Sequence, residues 1–324
     1  MATPNWTVGI DLGGTFIKVA LLDPDGTIVA RDRIPTGGAD GHHAVLERMA
    51  EGSRAMIAAA PAGQVVGVGL GVPGMVDMPN GRTGELTNVP GGWDGLPVCA
   101  ILSEQLGLPV RVINDARAFT LAEHLLGAAK GADTALCITV GTGIGGGIVA
   151  HGKVLFGLGG SAGEVGHQIV QPGGIACGCG LRGCVEPLST GPAIAGEAMR
   201  RCVQGFATSL HELSSGNIGT ITPELVDQAA EAGDSVAIDI LEEAGRWLGL
   251  GIAGSIATIA PEVVVIGGGV ARPGGRYWNS ALATARNHVR VVEIDRVRFE
   301  PAALGYDAGV IGAALWGSGD PTLS

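Results

Sequence analysis

Twice in this chain an apolar strand runs into a Gly/Thr turn and out again into a second strand and a glycine hairpin. The first copy is T-V-G-I-D-L-G-G-T-F-I-K-V-A-L-L-D-P-D-G from Thr7, and the second is A-L-C-I-T-V-G-T-G-I-G-G-G-I-V-A-H-G-K-V from Ala135. A pattern that returns in the same order of strand, turn, strand and hairpin points to two related halves. The remaining punctuation is consistent with that. Strands are expected at 7–11, 17–22 and 27–30, the last two joined by the turn Pro24-Asp25-Gly26. A helix at 43–60, a buried strand at 65–72, a helix at 96–106, a strand at 109–113 and a helix at 116–126 complete the first half, with a Gly/Pro/Asn-rich stretch at 77–95 that lacks periodicity. After the second copy come helices at 192–204, 223–232 and 235–259, the last stopped by Pro261, then a strand at 262–266 and a final helix at 307–316. Strands alternating with helices indicate an α/β protein with mixed sheets.

With 324 residues the chain has room for two domains of ordinary size. It holds 57 glycines, well above a typical usage of about 7%, spread between apolar runs where tight turns and close backbone approaches are expected. The formal net charge of −11 disfavours a general nucleic-acid binder, which needs clustered Lys and Arg against phosphates. Any bound phosphate is then better held by backbone N–H groups. The first residues show no basic region followed by an apolar core, and apolar runs such as 247–260 fall short of the roughly 20 residues of a membrane span. A cytoplasmic protein bound to no membrane is expected. Cys99, Cys137 and Cys202 lie in core-like segments, as reduced thiols do.

The stretch from Glu164 to Glu186 packs three thiols, an imidazole and two carboxylates into one segment. Cys177, Cys179 and Cys184 with His167 supply three sulfurs and one nitrogen, the set that a structural Zn²⁺ takes in closed tetrahedral form. Glycines 178, 180 and 183 allow the tight folding this requires. The alternative is three ordinary cysteines, but free Cys favours apolar surroundings and a disulfide would strand one thiol. A closed cage builds shape and leaves chemistry to its neighbours, of which Glu164 and Glu186 bracket it.

Three glycine turns follow apolar strands: Gly13-Gly14-Thr15, Gly141-Thr142-Gly143 and Gly267-Gly268-Gly269. Strand ends are where α/β sheets bind ligands, and successive N–H groups there cradle phosphate oxygens. Together they suggest a nucleotide; neither a Walker A loop nor a dinucleotide fingerprint occurs. Asp11, beside the first turn, can hold the hydrated Mg²⁺ that accompanies ATP, or satisfy turn N–H groups instead. Lys18 is either a phosphate contact or a solvated lysine. Asp115 stands at the strand-to-helix junction V-I-N-D-A-R-A-F, where it is either a helix N-cap, a role for which Asn114 competes, or the carboxylate that takes a hydroxyl proton during phosphoryl transfer. Glu164, Glu186 and Asn114 suit hydrogen bonds to sugar hydroxyls.

On these residues the chain resembles a sugar kinase of the ROK (repressor, open reading frame, kinase) family, within the actin-like ATPase superfamily. The resemblance rests on D-L-G-G-T at 11–15, V-P-G at 72–74, N-D-A at 114–116, G-T-G-I-G-G-G at 141–147, A-G-E-V-G-H at 162–167, C-G-C-G-L-R-G-C-V-E at 177–186 and G-G-G at 267–269. The two last-but-one motifs are specific to the family; the glycine turns belong to the whole superfamily. It implies a two-domain actin-like ATPase (ribonuclease H-like) fold, with mixed sheets flanked by helices and an interdomain cleft. Residues 1–116, joined by the C-terminal helix at about 305–318, would form the smaller domain, and 117–304 the larger one with the zinc loop.

The resemblance further implies Asp115 as general base and Gly74, Asn88, Asn114, Glu164, His167 and Glu186 as sugar contacts. It places zinc on His167, Cys177, Cys179 and Cys184, and ATP against Gly13, Gly14, Thr15, Thr142, Gly143 and Gly268. Two departures stand out: Phe16 occupies a position that is Lys in many relatives, and T-N-V-P-G-G-W around Asn88 matches only approximately. The implied activity is ATP-dependent phosphorylation of the 6-hydroxyl of a hexose, glucose first, in a homodimer or homotetramer. Rival substrates are mannose, fructose, N-acetylglucosamine and N-acetylmannosamine, and polyphosphate or ADP would need similar cradles as donors. The family also contains sugar-sensing repressors. Their helix-turn-helix segment precedes the first Gly/Thr turn, which here begins at Asp11, so an enzyme is expected.

Overall fold

A computed structural model describes residues 5–86 and 88–323. The strands are β1 Trp6–Leu12, β2 Phe16–Leu22, β3 Ile28–Pro35, β4 Val65–Val72, β5 Val76–Asp77, β6 Arg82–Thr83, β7 Val110–Asn114, β8 Ala135–Val140, β9 Ile144–Ala150, β10 Lys153–Leu155, β11 Val263–Gly267 and β12 Arg298–Pro301. The helices are α1 His42–Ala59, α2 Val98–Leu106, α3 Asp115–Leu125, α4 Glu186–Ser189, α5 Gly191–Val203, α6 Leu210–Leu213, α7 Pro223–Glu231, α8 Ser235–Ile259, α9 Arg276–His288 and α10 Ala308–Gly317.

The repeated sequence pattern is a repeated topology. One five-stranded sheet runs β3-β2-β1-β4-β7 and the other β10-β9-β8-β11-β12. Numbered within each half, both orders are third, second, first, fourth, fifth. Both sheets are mixed: β1–β2 and β2–β3 pair antiparallel and β1–β4 and β4–β7 parallel, while β9–β10 is antiparallel and β11–β12 parallel. The strands expected from sequence are all present. β3 is longer than its expectation of 27–30, because its mostly exposed residues Ala30–Pro35 carry little apolar alternation yet pair with β2 throughout. α9 and β12 were not foreseen at all.

The chain clusters into two compact units, Met1–Cys137 with Gly147–Gly163 and Ala303–Ser324, and Ile138–Gly146 with Glu164–Ala302. In the first unit, Val8, Ile10, Val68, Leu70, Val72 and Val112 of the sheet are buried against Leu46, Met49 and Leu102 on one face. On the other lies α10, whose backbone sits directly on the strands. A Cβ at Gly9, Gly67 or Gly69 would run into the carbonyl oxygens of Val310, Gly317 and Ala313. These alternate glycines are therefore needed for close approach, and they account for part of the glycine excess. α3 packs on α10, where Gly312 meets the Ala118 carbonyl.

In the second unit the 25-residue α8 buries Ile240, Leu241, Leu248, Ile252 and Ile256, starts on an Asp234 cap and ends at Ala260 in the left-handed region before Pro261. α9 packs along it with Tyr277, Trp278, Ala281 and Ala285. Among the described residues no helix is long and apolar enough to cross a membrane.

Candidate active site

The first unit gathers the N-terminal turn, the Gly74 turn and the start of α3. Between β1 and β2, Gly13 N–H donates to the Phe16 carbonyl at 3.0 Å. The buried Thr36 ties the turn down from below: its hydroxyl donates to the Gly13 carbonyl at 2.7 Å and its N–H to the Thr15 carbonyl at 2.9 Å. With these carbonyls engaged, the turn presents exposed Gly14 and Thr15 at its tip. The exposed Asn88 is placed against this turn, since a Cβ at Gly14 would lie 2.8 Å from its carbonyl oxygen.

At the end of β7, the two candidates for the α3 cap are sorted. Asn114 Oδ1 accepts from the N–H groups of Ala116 at 3.0 Å and Arg117 at 3.3 Å, which is the N-cap arrangement. It also accepts from Nη1 of the fully buried Arg117 at 3.0 Å, a partner that sequence reasoning did not single out. Asn114 Nδ2 donates to the Gly74 carbonyl at 3.0 Å, so these two expected residues are brought together. Gly74 is at φ +77, and a Cβ there would stand 2.7 Å from the Glu85 carbonyl. Asp115 opens α3 as a half-buried carboxylate, its Oδ1 accepting from Ala116 N–H at 2.8 Å.

Among the described residues, the Asp11 carboxylate is met by a side chain and not by a turn N–H. Its Oδ2 accepts from Lys18 Nζ at 3.1 Å, and Lys18 is thereby no solvated lysine.

The second unit gathers the other half of the expected residues. Thr142 is exposed at the tip of the β8–β9 turn, which is closed by Gly141 N–H to the Gly143 carbonyl at 2.9 Å. Glu186 lies over this turn: its Oε2 accepts from Ile144 N–H at 3.0 Å and would stand 2.9 Å from a Cβ at Gly143. Its Oε1 reaches Cys177 Sγ at 4.0 Å, so one carboxylate spans the Gly/Thr turn and the cysteine loop. The spacing of E-V-G-H also has a local reason. Glu164 begins a short 3-10 turn, Val165–His167, and Gly166 inside it touches the Ile144 carbonyl where no side chain would fit. Glu164 is exposed and His167 half-buried.

His167, Cys177, Cys179 and Cys184 place their ligand atoms within 4.8 Å of one another. His167 Nδ1 is 3.5 Å from Cys177 Sγ, and Cys179 Sγ is 3.8 Å from Cys184 Sγ. A tetrahedral ion with Zn–S of about 2.3 Å and Zn–N of about 2.0–2.1 Å sets sulfur pairs roughly 3.8 Å and sulfur–nitrogen pairs roughly 3.5 Å apart. The donor set and its spacing therefore fit zinc, whereas all six cysteines are unpaired as disulfides. The loop backbone prepares the set. Cys177 N–H donates to Leu181 O at 2.8 Å and Gly183 N–H to Ile175 O at 2.8 Å, and Gly183 at φ +81 passes against the Gln171 carbonyl. Burial pushes the Cys184 thiol up to about 12 and raises Cys177, while the Leu181 N–H holds the exposed Cys179 below the usual thiol range.

Gly268, at φ +93, follows β11 so close to Val140 that a Cβ would meet its backbone. Beside it opens a cavity of about 400 Å³ that includes Pro223, Gln228, Gly269, Val270 and Tyr277. Arg272 on its wall pairs with Asp227 at 3.3 Å and with Glu231. Sequence reasoning stopped at the glycines; the available signal was the apolar and charged run V-A-R-P that follows them.

A model of the ROK family matches residues 7–319. The chain is similar to a glucokinase of Halalkalibacterium halodurans, 38% identical over 315 residues that cover 95% of this chain and 93% of that one. It is also similar to an N-acetylmannosamine kinase of Citrobacter koseri, 31% identical over 97% of this chain and 99% of that one. Among solved structures, a ROK family glucokinase from Streptomyces griseus in complex with glucose and AMPPNP superposes with a TM-score of 0.84 at 31% identity, covering 97% of this chain and 99% of that one.

Proposed function

The chain belongs to the ROK family, and on that premise we propose that it phosphorylates the 6-hydroxyl of glucose with ATP, using Asp115 as general base. One observation carries this reading. Asn114 caps α3 and donates to the Gly74 carbonyl, and Asp115 sets a half-buried carboxylate directly beside this pair at the end of β7. Transfer of a phosphoryl group to an alcohol needs such a carboxylate to receive the hydroxyl proton as the oxygen attacks phosphorus and the bond to the leaving oxygen breaks.

In this proposal Gly74, Asn88, Asn114, Glu164, Glu186 and His167 are the sugar contacts. Asn114 donates one amide hydrogen to the Gly74 carbonyl and offers the other. Since Nδ1 of His167 faces Cys177, its Nε2 is the nitrogen left for a hydroxyl. Backbone N–H groups at Gly14, Thr15, Thr142 and Gly143 cradle the phosphates, with Gly13 N–H holding its turn closed against Phe16, and the nucleoside lies against Gly268 and the cavity beside Gly269. The zinc expected on His167, Cys177, Cys179 and Cys184 would be a closed site that shapes the loop. Asp11 offers the hard oxygen that Mg²⁺ keeps alongside its waters, and the ion neutralises charge on the phosphates when bound.

The N-acetylmannosamine kinase relatives support a second substrate reading, with the same base and donor and an N-acetylhexosamine as acceptor. A coupled assay with Mg·ATP across glucose, mannose, fructose, N-acetylglucosamine and N-acetylmannosamine decides. We expect glucose to give the highest kcat/KM by at least about tenfold, a difference of ~1.4 kcal/mol in transition-state binding. A preference for an N-acetylhexosamine would replace glucose in the proposal, and no turnover on any sugar would reject the kinase reading.

A further inference from the structure

Lys18 is held more tightly than any role considered so far requires. Strand pairing sets it directly across from Asp11 on β1 and from Arg33 on β3. Its Nζ lies 3.1 Å from Asp11 Oδ2, 2.8 Å from the Tyr306 carbonyl oxygen and 3.5 Å from the centroid of the Tyr306 ring. An ammonium group has three hydrogens, and here they meet a carboxylate, a carbonyl and the face of an aromatic ring. The Lys18 and Asp11 side chains are only 18% and 16% exposed.

The socket is itself anchored on both sides of Tyr306. Just before it, the N–H groups of Ala303 and Leu304 donate to the two oxygens of Glu123 at 3.1 and 2.9 Å, and Glu123 is fully buried on α3. Just after it, Asp307 pairs with Arg31 at 2.5 Å. Gly309 of α10 also closes on this carboxylate, since a Cβ there would lie 2.9 Å from Asp11 Oδ2. The carboxylate thus meets both the lysine and a helix backbone that carries no side chain at that point.

We propose that Lys18 is a positioning residue: seated in the Tyr306 socket, it orients the Asp11 carboxylate toward the hydrated Mg²⁺ of the nucleotide and makes no phosphate contact of its own. This rests on the reading above that Asp11 faces the Mg²⁺ of bound ATP. Mg²⁺ demands near-ideal octahedral geometry, so a carboxylate that can rotate is a poorer partner than one fixed by a neighbour. Loss of such an orienting partner typically weakens metal affinity by about 10–100-fold.

The test is calorimetric titration of Mg·ADP, together with the Mg²⁺ concentration that half-activates hexose phosphorylation. Lys18→Met should weaken Mg·ADP binding by about tenfold or more and raise the Mg²⁺ requirement, with KM for the hexose unchanged. Lys18→Arg, which can still donate to both oxygens, should restore part of the loss. Tyr306→Leu removes the ring and keeps the lysine charge and the carbonyl, and should shift both readouts in the same direction by a smaller factor. If Tyr306→Leu leaves Mg·ADP affinity unchanged or tightens it, Lys18 acts on phosphate directly and the proposal is wrong. Wild-type Mg·ADP affinity in Lys18→Met also overturns it. Should Lys18→Met not fold, Tyr306→Leu and Lys18→Arg decide alone. Failure of the underlying reading is separate and visible in the wild type, which would then bind no Mg·ADP and phosphorylate no hexose.

Discussion

Asn114 and Asp115 are adjacent and nearly the same shape, and the backbone gives them different work. Asn114 closes β7 in an extended conformation, so its side chain folds over the first N–H groups of α3; Asp115 is already inside the helix. Replacing Asp115 by Asn keeps shape and helix start while removing the proton acceptor. We expect kcat to fall by about 10²–10⁴-fold, with hexose affinity, read by intrinsic fluorescence, within about threefold of wild type. Retained turnover would reject Asp115 as the base. The place of Asp115 at a strand-to-helix junction was legible in the sequence because a strand end followed by N-D and a helix is a local pattern. Lys18 was not legible, since its fate depends on Tyr306, 288 residues away, and no local rule separates a clamped lysine from a solvated one. Arg117 was missed for the same reason: its burial is a property of the packed α3, and the motif that drew attention ended one residue earlier.

Among elements, the cysteine loop shows how backbone constraints and ligand placement combine. Its glycines are spent on contacts that exclude side chains, at Gly166 against Ile144 and at Gly183 against Gln171, and the thiols fall into place between them. Cys177 and Cys184 are buried, whereas Cys179 is exposed, so Cys179→Ser removes a ligand with little change in packing. The purified protein is expected to carry about one zinc per chain by elemental analysis. Cys179→Ser or a strong chelator should lower Tm by on the order of 10 °C and raise the hexose KM, because Glu186 and His167 border the loop. Mg·ADP affinity of the Cys179→Ser protein gives the contrasting readout, and it should not move, because the Asp11–Lys18 pair belongs to the first unit. A zinc-free protein with unchanged Tm and hexose KM would remove the metal from the account. Elements with strong periods or clean stops were readable from sequence, α8 above all, whose 235–259 span ends at the expected Pro261. α9 was not, because its buried stripe of Tyr277, Trp278, Ala281, Thr284 and Ala285 mixes bulky with small and polar residues, which dilutes the apolar signal that helix reading depends on.

At the scale of the whole molecule, the repeated topology was announced by the two glycine-rich copies, yet the way the chain divides was beyond reach of local patterns. It passes from one compact unit to the other after Cys137, Gly146, Gly163 and Ala302. The first unit is therefore incomplete until its last segment has been made. That segment is not peripheral: α10 buries Val310, Ile311, Ala313 and Ala314 and covers strands whose glycines offer no side chains of their own to shield the sheet. It also carries the N–H groups of Ala303 and Leu304 that donate to the buried Glu123 carboxylate, which would otherwise keep the Ala128 N–H at 2.8 Å but lose these two, and a buried carboxylate short of donors is costly. A chain ended after Ala302 should consequently lose the first unit as a cooperative structure. All residues of the second unit, 138–146 and 164–302, are still present in such a chain. Limited proteolysis mapped by mass spectrometry should then show rapid cleavage within 6–125 and slower cleavage within 186–289. Protection of 6–125 equal to that of the full chain would show that α10 is dispensable to the sheet it covers, and with it the explanation offered for the glycines at 9, 67 and 69.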